Sequence, residues 1–595
     1  MPTVNLEYIE GTIKNPQHTK STEACFIDTN LVHFPDGKLT PIPTFVQSAF
    51  IGGTIVGTVR SQWATILNTN NFEGAHYLFG SNYGLYAEYN QKRYNITPLK
   101  TVADATLSAN PLSVVNASPI ITVTYTSHGL AVGDRIRLAG ATTTGGILAA
   151  EINKEHIVAT VPTANTFTIV AGVNATSTAT GGGSSINIFK QIAAGNEFQT
   201  LASGYGAGTY GVGLYGDSQT SATTFVFPRI WSFANFGNGV IMCPGDYSAG
   251  NGQKIYEWAG NNTVAPTVMA NAPTDCQFVF VVNNRIIALC GNMIKIAGLD
   301  NLLAPVWNGF GYNKIPVLNS NRLLSGFKVG DKSAIIFAPE PMLLSFDGAV
   351  PDLVALGQEF SIAAPLAACA LEDGLVWYGL DSNFYFYNGS RVQTIINHQN
   401  GEYIRQVINP AAIHTMFMMA DPKHNQAWLY YPTGSSKNPD EYVIINPRRY
   451  SGAGKPSFTL GKQTRTSAQR PVAVLNRFYM FDTATQYTAF TNQPRSFAWS
   501  AKTAFFYVDG QQRARLKDIQ PDFFQASQPV NLTVTGLEGA QGVETVYGTY
   551  EVAANAVRVT TPAAGQLLSF TFSGIGDMMI GTMRMNLELR GGRNK

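Results

Sequence analysis

Residues 204–216 read GYGAGTYGVGLYG, and they are the first place in the chain where residue spacing invites chemistry. Gly206, Gly208 and Gly211 match the glycine spacing of a dinucleotide-binding loop, and Gly211, Gly213 and Gly216 match it again. Such a loop holds a pyrophosphate only where a strand precedes it and a helix follows, so that the helix N-terminus faces the anion. Here QTLASG precedes and DSQTSATTFVFPRIW follows, which reads as loop and then strand. The stretch is therefore expected to bind no nucleotide. Its tyrosines, Tyr205, Tyr210 and Tyr215, read as plates that stack on a neighbouring surface. The GAGK at 452–455 is no P-loop either, because Pro456 stands where a phosphate loop needs Ser or Thr.

The titratable residues carry little more. The eight histidines contain no HExxH and no pair at metal-ligand spacing; His398, His414 and His424 read as surface or core residues. No G-x-S-x-G elbow occurs. Asp347, Glu372, Asp373 and Asp381 could meet at the axis of a propeller glycosidase, whose carboxylates stand about 5–9 Å apart. Most of them lie in Asp-Gly or Asp-Ser contexts, which turn formation already explains. The expectation is a protein that is not an enzyme, with no catalytic, metal or cofactor-binding residues and no cofactor.

The elements that must position these residues are strands. Short runs rich in Val, Ile, Phe, Tyr and Thr recur between Gly, Asn, Asp and Pro punctuation, and helical periodicity is scarce. YLFGSNYGLYAEYNQKRYNI (77–96) reads as two strands around a Ser-Asn-Tyr-Gly turn. CQFVFVVNNRIIALCGN, KSAIIFAPEPMLLSFDG, GLVWYGLDSNFYFYNG, QAWLYYPTGSSKNPDEYVIIN and RPVAVLNRFYMFDTA repeat the pattern. Their spacing approaches the ~40–50 residues of a propeller blade. Six or seven irregular blades are expected, with a stack of β-sandwiches as the competing architecture.

One interval is too long. Between the first and second units, PIITVTYTSHGLAVGDRIRLAG and EHIVATVPTANTFTIV alternate apolar and polar residues around tight turns, and NATSTATGGGSS (174–185) follows with the composition of a flexible linker. A small β-barrel-like module inserted at 101–189 is expected, within a propeller formed by 61–100 and 190–500. After 500 the strands alternate strictly, as in PVNLTVTGLEG and TMRMNLELRGGRNK. Residues 501–595 read as a β-sandwich platform, with 1–60 packing on it because chain ends often meet.

Composition bounds the class. Charged residues make up 13% of the 595, against a usual figure of about 25%. That deficit fits a surface covered by other subunits, or a Thr/Asn/Ser-rich soluble one. A net charge of +2 gives no bulk attraction to nucleic acid. The five cysteines, Cys25, Cys243, Cys276, Cys290 and Cys369, show no paired spacing and read as reduced thiols made in a cytosol. No secretory leader and no apolar run long enough for a membrane helix is read.

GYGAGTYGVGLYG followed by PRIWSFANFGNGVIMCPGD, GQKIYEWAGN and CQFVFVVNNRIIALCG resembles the tail nozzle (tail tubular protein B) proteins of short-tailed phages. GLVWYGLDSNFYFYNG, QAWLYYPTGSSKNPDEYVIIN and the terminal MRMNLELRGGR extend the resemblance in pieces from about 200 to 595. The 101–190 module, with SHGLAVGD, is similar to a small β-domain of phage virion proteins. The resemblance implies a structural virion protein: a homo-oligomeric ring, hexameric in the family, at the distal end of the tail. It further implies contacts with the portal-adaptor ring and tail fibres or spikes, assembly in the host bacterial cytoplasm, no membrane insertion, and genomic DNA passing through without sequence-specific binding. A near-neutral lumen that does not grip DNA, with the basic RGGRNK tail outside the channel, follows as an expectation. A glycan-binding, receptor-binding tail protein is the alternative, and a propeller glycosidase stands behind it.

Overall fold

The computed structural model describes residues 3–589 except 7, 15–23, 50–52, 69–72, 202–224, 247–250, 300–303, 309–310, 319–321, 347–349, 358–359, 396–397, 451–455, 471–478, 491–496, 508–512, 525–526 and 540–541. The tyrosine–glycine run 204–216, Asp347, the GAGK stretch and the RGGRNK tail lie outside the described residues.

The chain is all-β, built on a seven-bladed propeller. Each blade is a four-stranded antiparallel sheet. Their first strands are Val59–Leu67, Ser232–Phe236, Phe278–Val282, Ser325–Lys328, Ala368–Leu371, Phe417–Asp421 and Ser467–Ala468. These strands neighbour one another in that order, and the seventh returns to the first, so the ring is closed. The aromatic-x-aromatic signature occupies the third strand of a blade, as in Tyr256–Trp258 and Phe384–Tyr387. There both faces are covered, because each sheet packs between two others, and Phe384, Tyr385, Phe386 and Tyr387 are all buried. Close approach between blades is bought by glycine: a Cβ on Gly80 of blade 1 would lie 2.2 Å from the Trp231 ring at the entrance to blade 2.

Blade 7 is completed from the other end of the chain. Its fourth strand is Thr44–Gln47, antiparallel to Thr485–Phe490 with Thr44 opposite Phe490. Residues 44–47 were expected in the platform together with the rest of 1–60, and they belong to the propeller instead. The physical reason is the ring: the last blade has an unfilled edge, and the segment leading into blade 1 is the one that reaches it.

The remaining terminal strands form the sandwich platform. One sheet runs in the order Thr3–Leu6, Met583–Leu589, Ala514–Gln520 and Val559–Thr560. The other runs Tyr8–Thr12, Ala24–Asn30, Trp499–Thr503, Leu567–Gly574, Val530–Leu537 and Glu544–Val552. Phe26 and Val32 share one core with Trp499, Leu532, Phe570 and Leu587. The platform is also fastened to blade 6. Thr29 donates its hydroxyl to the Leu460 carbonyl at 2.5 Å, and the Leu460 amide donates to Thr12 Oγ1 at 3.1 Å. Gly11, at φ +90°, lets the two backbones meet, since a Cβ there would stand 2.6 Å from the Phe458 carbonyl oxygen.

Between blades 1 and 2 sits the inserted module, two small sheets around a core of its own that includes Leu112, Ile136, Leu138, Phe167 and Ile188. Its two ends meet: the Lys100 amide donates to the Lys190 carbonyl and the Ile192 amide to the Pro98 carbonyl, both at 2.9 Å. The stretch 174–185 is not a linker. Ala179–Gly181 pairs with Leu112–Val114 as an edge strand, and Ala175 is buried. The glycines that gave it a linker composition turn the backbone, Gly182 at φ +107° and Gly183 at φ +89°, while its threonines suit a strand.

Candidate functional site at the propeller axis

The first strands of the blades surround a cavity of about 440 Å³ on the propeller axis. Its wall is aromatic, with Trp63, Trp231, Phe233, Phe280, Phe327 and Phe417. Three cations, Arg60, Lys328 and Arg470, also line it, and among the described residues no Asp, Glu, His or Cys does. Polar side chains tie the first strands together around it: Gln62 donates to Ser467 Oγ at 2.7 Å, Trp63 Nε1 to Asn235 Oδ1 at 2.8 Å, and the Val279 amide to Ser232 Oγ at 2.9 Å.

The two arginines are held by carbonyls rather than by carboxylate pairs. Arg60, 2% exposed, donates from Nε and Nη2 to the Glu197 carbonyl, each at 3.1 Å, and from Nη2 to Asn438 Oδ1 at 2.9 Å. Its Nη1 has no partner. Burial pushes the guanidinium down to about 10, with the Glu197 carboxylate opposing, so it stays charged at neutral pH. Arg470 gathers the carbonyls of Leu366, Ala368 and Met418 at 2.5–2.8 Å and so clamps blade 5 to blade 6. Burial pushes it too down to about 10. A positive, aromatic cavity of this kind can hold an anion.

Of the carboxylates considered from sequence, the described ones, Glu372, Asp373 and Asp381, do not line it. Glu372 and Asp373 lie in the turn before Gly374–Tyr378 and Asp381 in the turn after it, at opposite ends of one strand. Five residues of strand separate them by roughly 16 Å, beyond the ~5–9 Å of a glycosidase pair. Asp381 serves its own turn, accepting from Asn383 Nδ2 at 2.6 Å and from the Tyr385 hydroxyl, whereas Asp373 accepts from Asn425 Nδ2 in the turn of blade 6 at 3.1 Å.

The histidines divide. His398 begins the helix His398–Val407. His414 is mostly buried, edge-on to Phe227 at 4.3 Å between ring centroids, and burial followed by the Arg322 charge pushes it down to about 4. His424 stands beside two groups that sequence reasoning did not connect with it, His33 and Asp421. No local spacing could have revealed this, because His33 reaches blade 6 from 393 residues before its hydrogen-bond partner Gln426. The five cysteines are unpaired, four of them buried. Among the described residues, no helix is long and apolar enough to cross a membrane.

The sequence matches no family model and no curated protein. Solved structures are similar in part. BamB from Moraxella catarrhalis gives a TM-score of 0.27 at 11% identity, over 44% of this chain and 83% of its own. Hsv2 from Kluyvelomyces marxianus gives 0.26 at 8% identity, over 50% and 93%. The endosialidase of phage phi92 gives 0.19 at 11% identity, over 92% and 81%. Scores this low carry no argument about what this chain does, and the fold rests on the strand pairing described above.

Proposed function

We propose that the chain is a structural subunit of a phage virion, the nozzle of a short tail, which assembles with copies of itself into a ring. In that assembly the platform meets the neighbouring tail proteins, and the ring conducts DNA without reading it. The observation that carries this reading is the open edge of the platform. Glu544–Val552 is a nine-residue strand that, among the described residues, has a partner strand on one side only. Its glutamates, Glu544 and Glu551, stand near its two ends, and the middle is uncharged. Val543, just before it, and Val546, within it, are 84% and 64% exposed. A long strand edge with bare valines is a pairing surface that a lone protein would cover or charge. The low charge content of the chain supports the same reading.

The test is the mass and shape of the purified protein, by light scattering and negative-stain imaging, alone and with Val546→Asp. A ring of several copies, six on the family resemblance, is expected, and it should dissociate in the variant. A monomer at every concentration, or a ring indifferent to Val546→Asp, would overturn the role given to this edge. The axial cavity favours a second reading, a receptor-binding propeller that takes an anionic glycan. Saturable glycan binding lost in Arg60→Met would establish that alternative.

A further inference from the structure

The segment that passes from the platform to blade 7 crosses the turn of blade 6, and at that crossing three metal-ligating side chains converge. His33 ends the short strand Val32–His33. Asp421 ends Phe417–Asp421, and His424 sits in the turn that leads into Gln426–Tyr431. One ligand atom from each of His33, Asp421 and His424 lies within 4.8 Å of the others. The His33 and His424 rings stand edge to face, 5.0 Å between centroids.

The His33 ring is set in the tautomer a metal needs. His33 Nδ1 is 2.9 Å from Gln426 Oε1, which only accepts, so Nδ1 carries the proton and the lone pair is on Nε2. His424 Nδ1 is 2.7 Å from Asp421 Oδ2, so these two already stand as neighbouring ligand atoms, and an ion would take the place of the proton they share. An imidazole oriented by an amide behind it, as His33 is by Gln426, is a usual surrounding of a metal-bound histidine. Burial keeps His33 neutral, with its pKa pushed down to about 4. His33 and Asp421 are 2% and 3% exposed, whereas the side chain of His424 retains 20% of its exposure and opens the cluster to solvent.

We propose that His33, Asp421 and His424 bind a divalent transition cation of the zinc class, with water in the fourth position. Ligand atoms around tetrahedral zinc stand about 3.3 Å apart at bond lengths near 2.0 Å, so closure requires movement of roughly 1.5 Å or less. The turn carrying His424 can supply that movement from its solvent side. Lys423 is a nearby cation that opposes the ion, and it is exposed. The bound ion would fasten the platform-to-propeller crossing to blade 6. This inference stands independently of the nozzle reading, because it rests on one subunit alone.

The experiment uses the untagged full-length chain, titrated with zinc by calorimetry and with cobalt by visible absorption, and melted with and without zinc. One equivalent of zinc, a raised melting temperature and the intense absorption of tetrahedral cobalt are expected. His424→Gln should weaken binding by at least about tenfold and abolish the cobalt band, and His33→Gln should do the same. His424 lies in a half-exposed turn, so His424→Gln serves as the test if His33→Gln does not fold. Absence of saturable zinc binding in the natural chain would overturn the proposal, as would binding by His424→Gln at unchanged affinity.

Discussion

The inserted module and the terminal platform are both additions to one propeller, and they are attached in opposite ways. The module leaves and re-enters the propeller at one point, where Lys100 and Lys190 are hydrogen-bonded. It rests on blades 1 and 2 through polar contacts. Tyr83 donates to Asp134 at 2.6 Å, Arg135 donates to the Asn95 and Thr263 carbonyls at 2.9 and 3.0 Å, and the Ala265 amide donates to Glu155 at 2.8 Å. Its apolar core is its own. The platform draws strands from both chain ends, shares one core between them and continues directly into the strand that closes blade 7. Polar docking around a single entry point makes a separable part. A core shared between distant segments makes an integral one, because neither segment can cover its apolar face alone.

The strongest way to break this contrast is truncation. Ending the chain at 498 removes Trp499, Leu532, Phe570 and Leu587 from the core that holds Phe26 and leaves only a few N-terminal residues such as Val32 and Phe34 there, and no soluble protein with a cooperative melt is expected, as judged by yield and calorimetry. A well-folded propeller from that truncation would make the platform as dispensable as the module. Point mutations sharpen the comparison. Leu568→Ala in the platform and Leu138→Ala in the module each empty a fully buried site, which costs about 2–5 kcal/mol. Leu568→Ala should lower the main unfolding transition, whereas Leu138→Ala should split off an early transition of the module and leave the main one in place. Denaturant melts followed by a probe in each region would tell.

A smaller effect is expected from acid. His414 belongs to the propeller, and its pKa is about 4 folded against 6.5 unfolded. Its contribution is full above pH 6.5 and is lost as pH falls through 4, because the unfolded chain takes the proton first. In His414→Gln the midpoint of the main transition should therefore change less between pH 7 and pH 5, and an unchanged slope would count against the assignment. The smallest effect belongs to excision. Replacing 101–189 by a short Gly/Ser bridge should leave the main melting temperature within a few degrees, because the polar groups uncovered on blades 1 and 2 gain water in exchange.

How much of this was legible in the sequence depended on how locally each feature is determined. A blade is a run of neighbouring hairpins, so its aromatic third strand and its turns stand close together in sequence, and the propeller could be read from Phe384–Tyr387 and its counterparts. The insert was visible because its strands also pair nearby. The closing strand was hidden, since TFVQ at 44–47 is too short to announce a partner at 485–490. The 174–185 stretch misled because composition does not distinguish glycines that turn a backbone from glycines that loosen it. The axial cavity and the His33, Asp421 and His424 cluster were out of reach, because both exist only where the ring brings distant strands together.

The closing strand also sets a timetable. Thr44–Gln47 is made early, yet its partner Thr485–Phe490 follows only after roughly 440 more residues, which a ribosome working at ~5–20 residues per second takes about 20–90 s to add. Throughout that time the nascent chain carries an orphan strand, while each completed blade offers a bare face to the next. The blades can fold in order as they emerge, but the ring can lock only once Thr485–Phe490 has emerged. The growing protein is therefore most exposed to wrong pairing with its neighbours on the same messenger just before that strand appears.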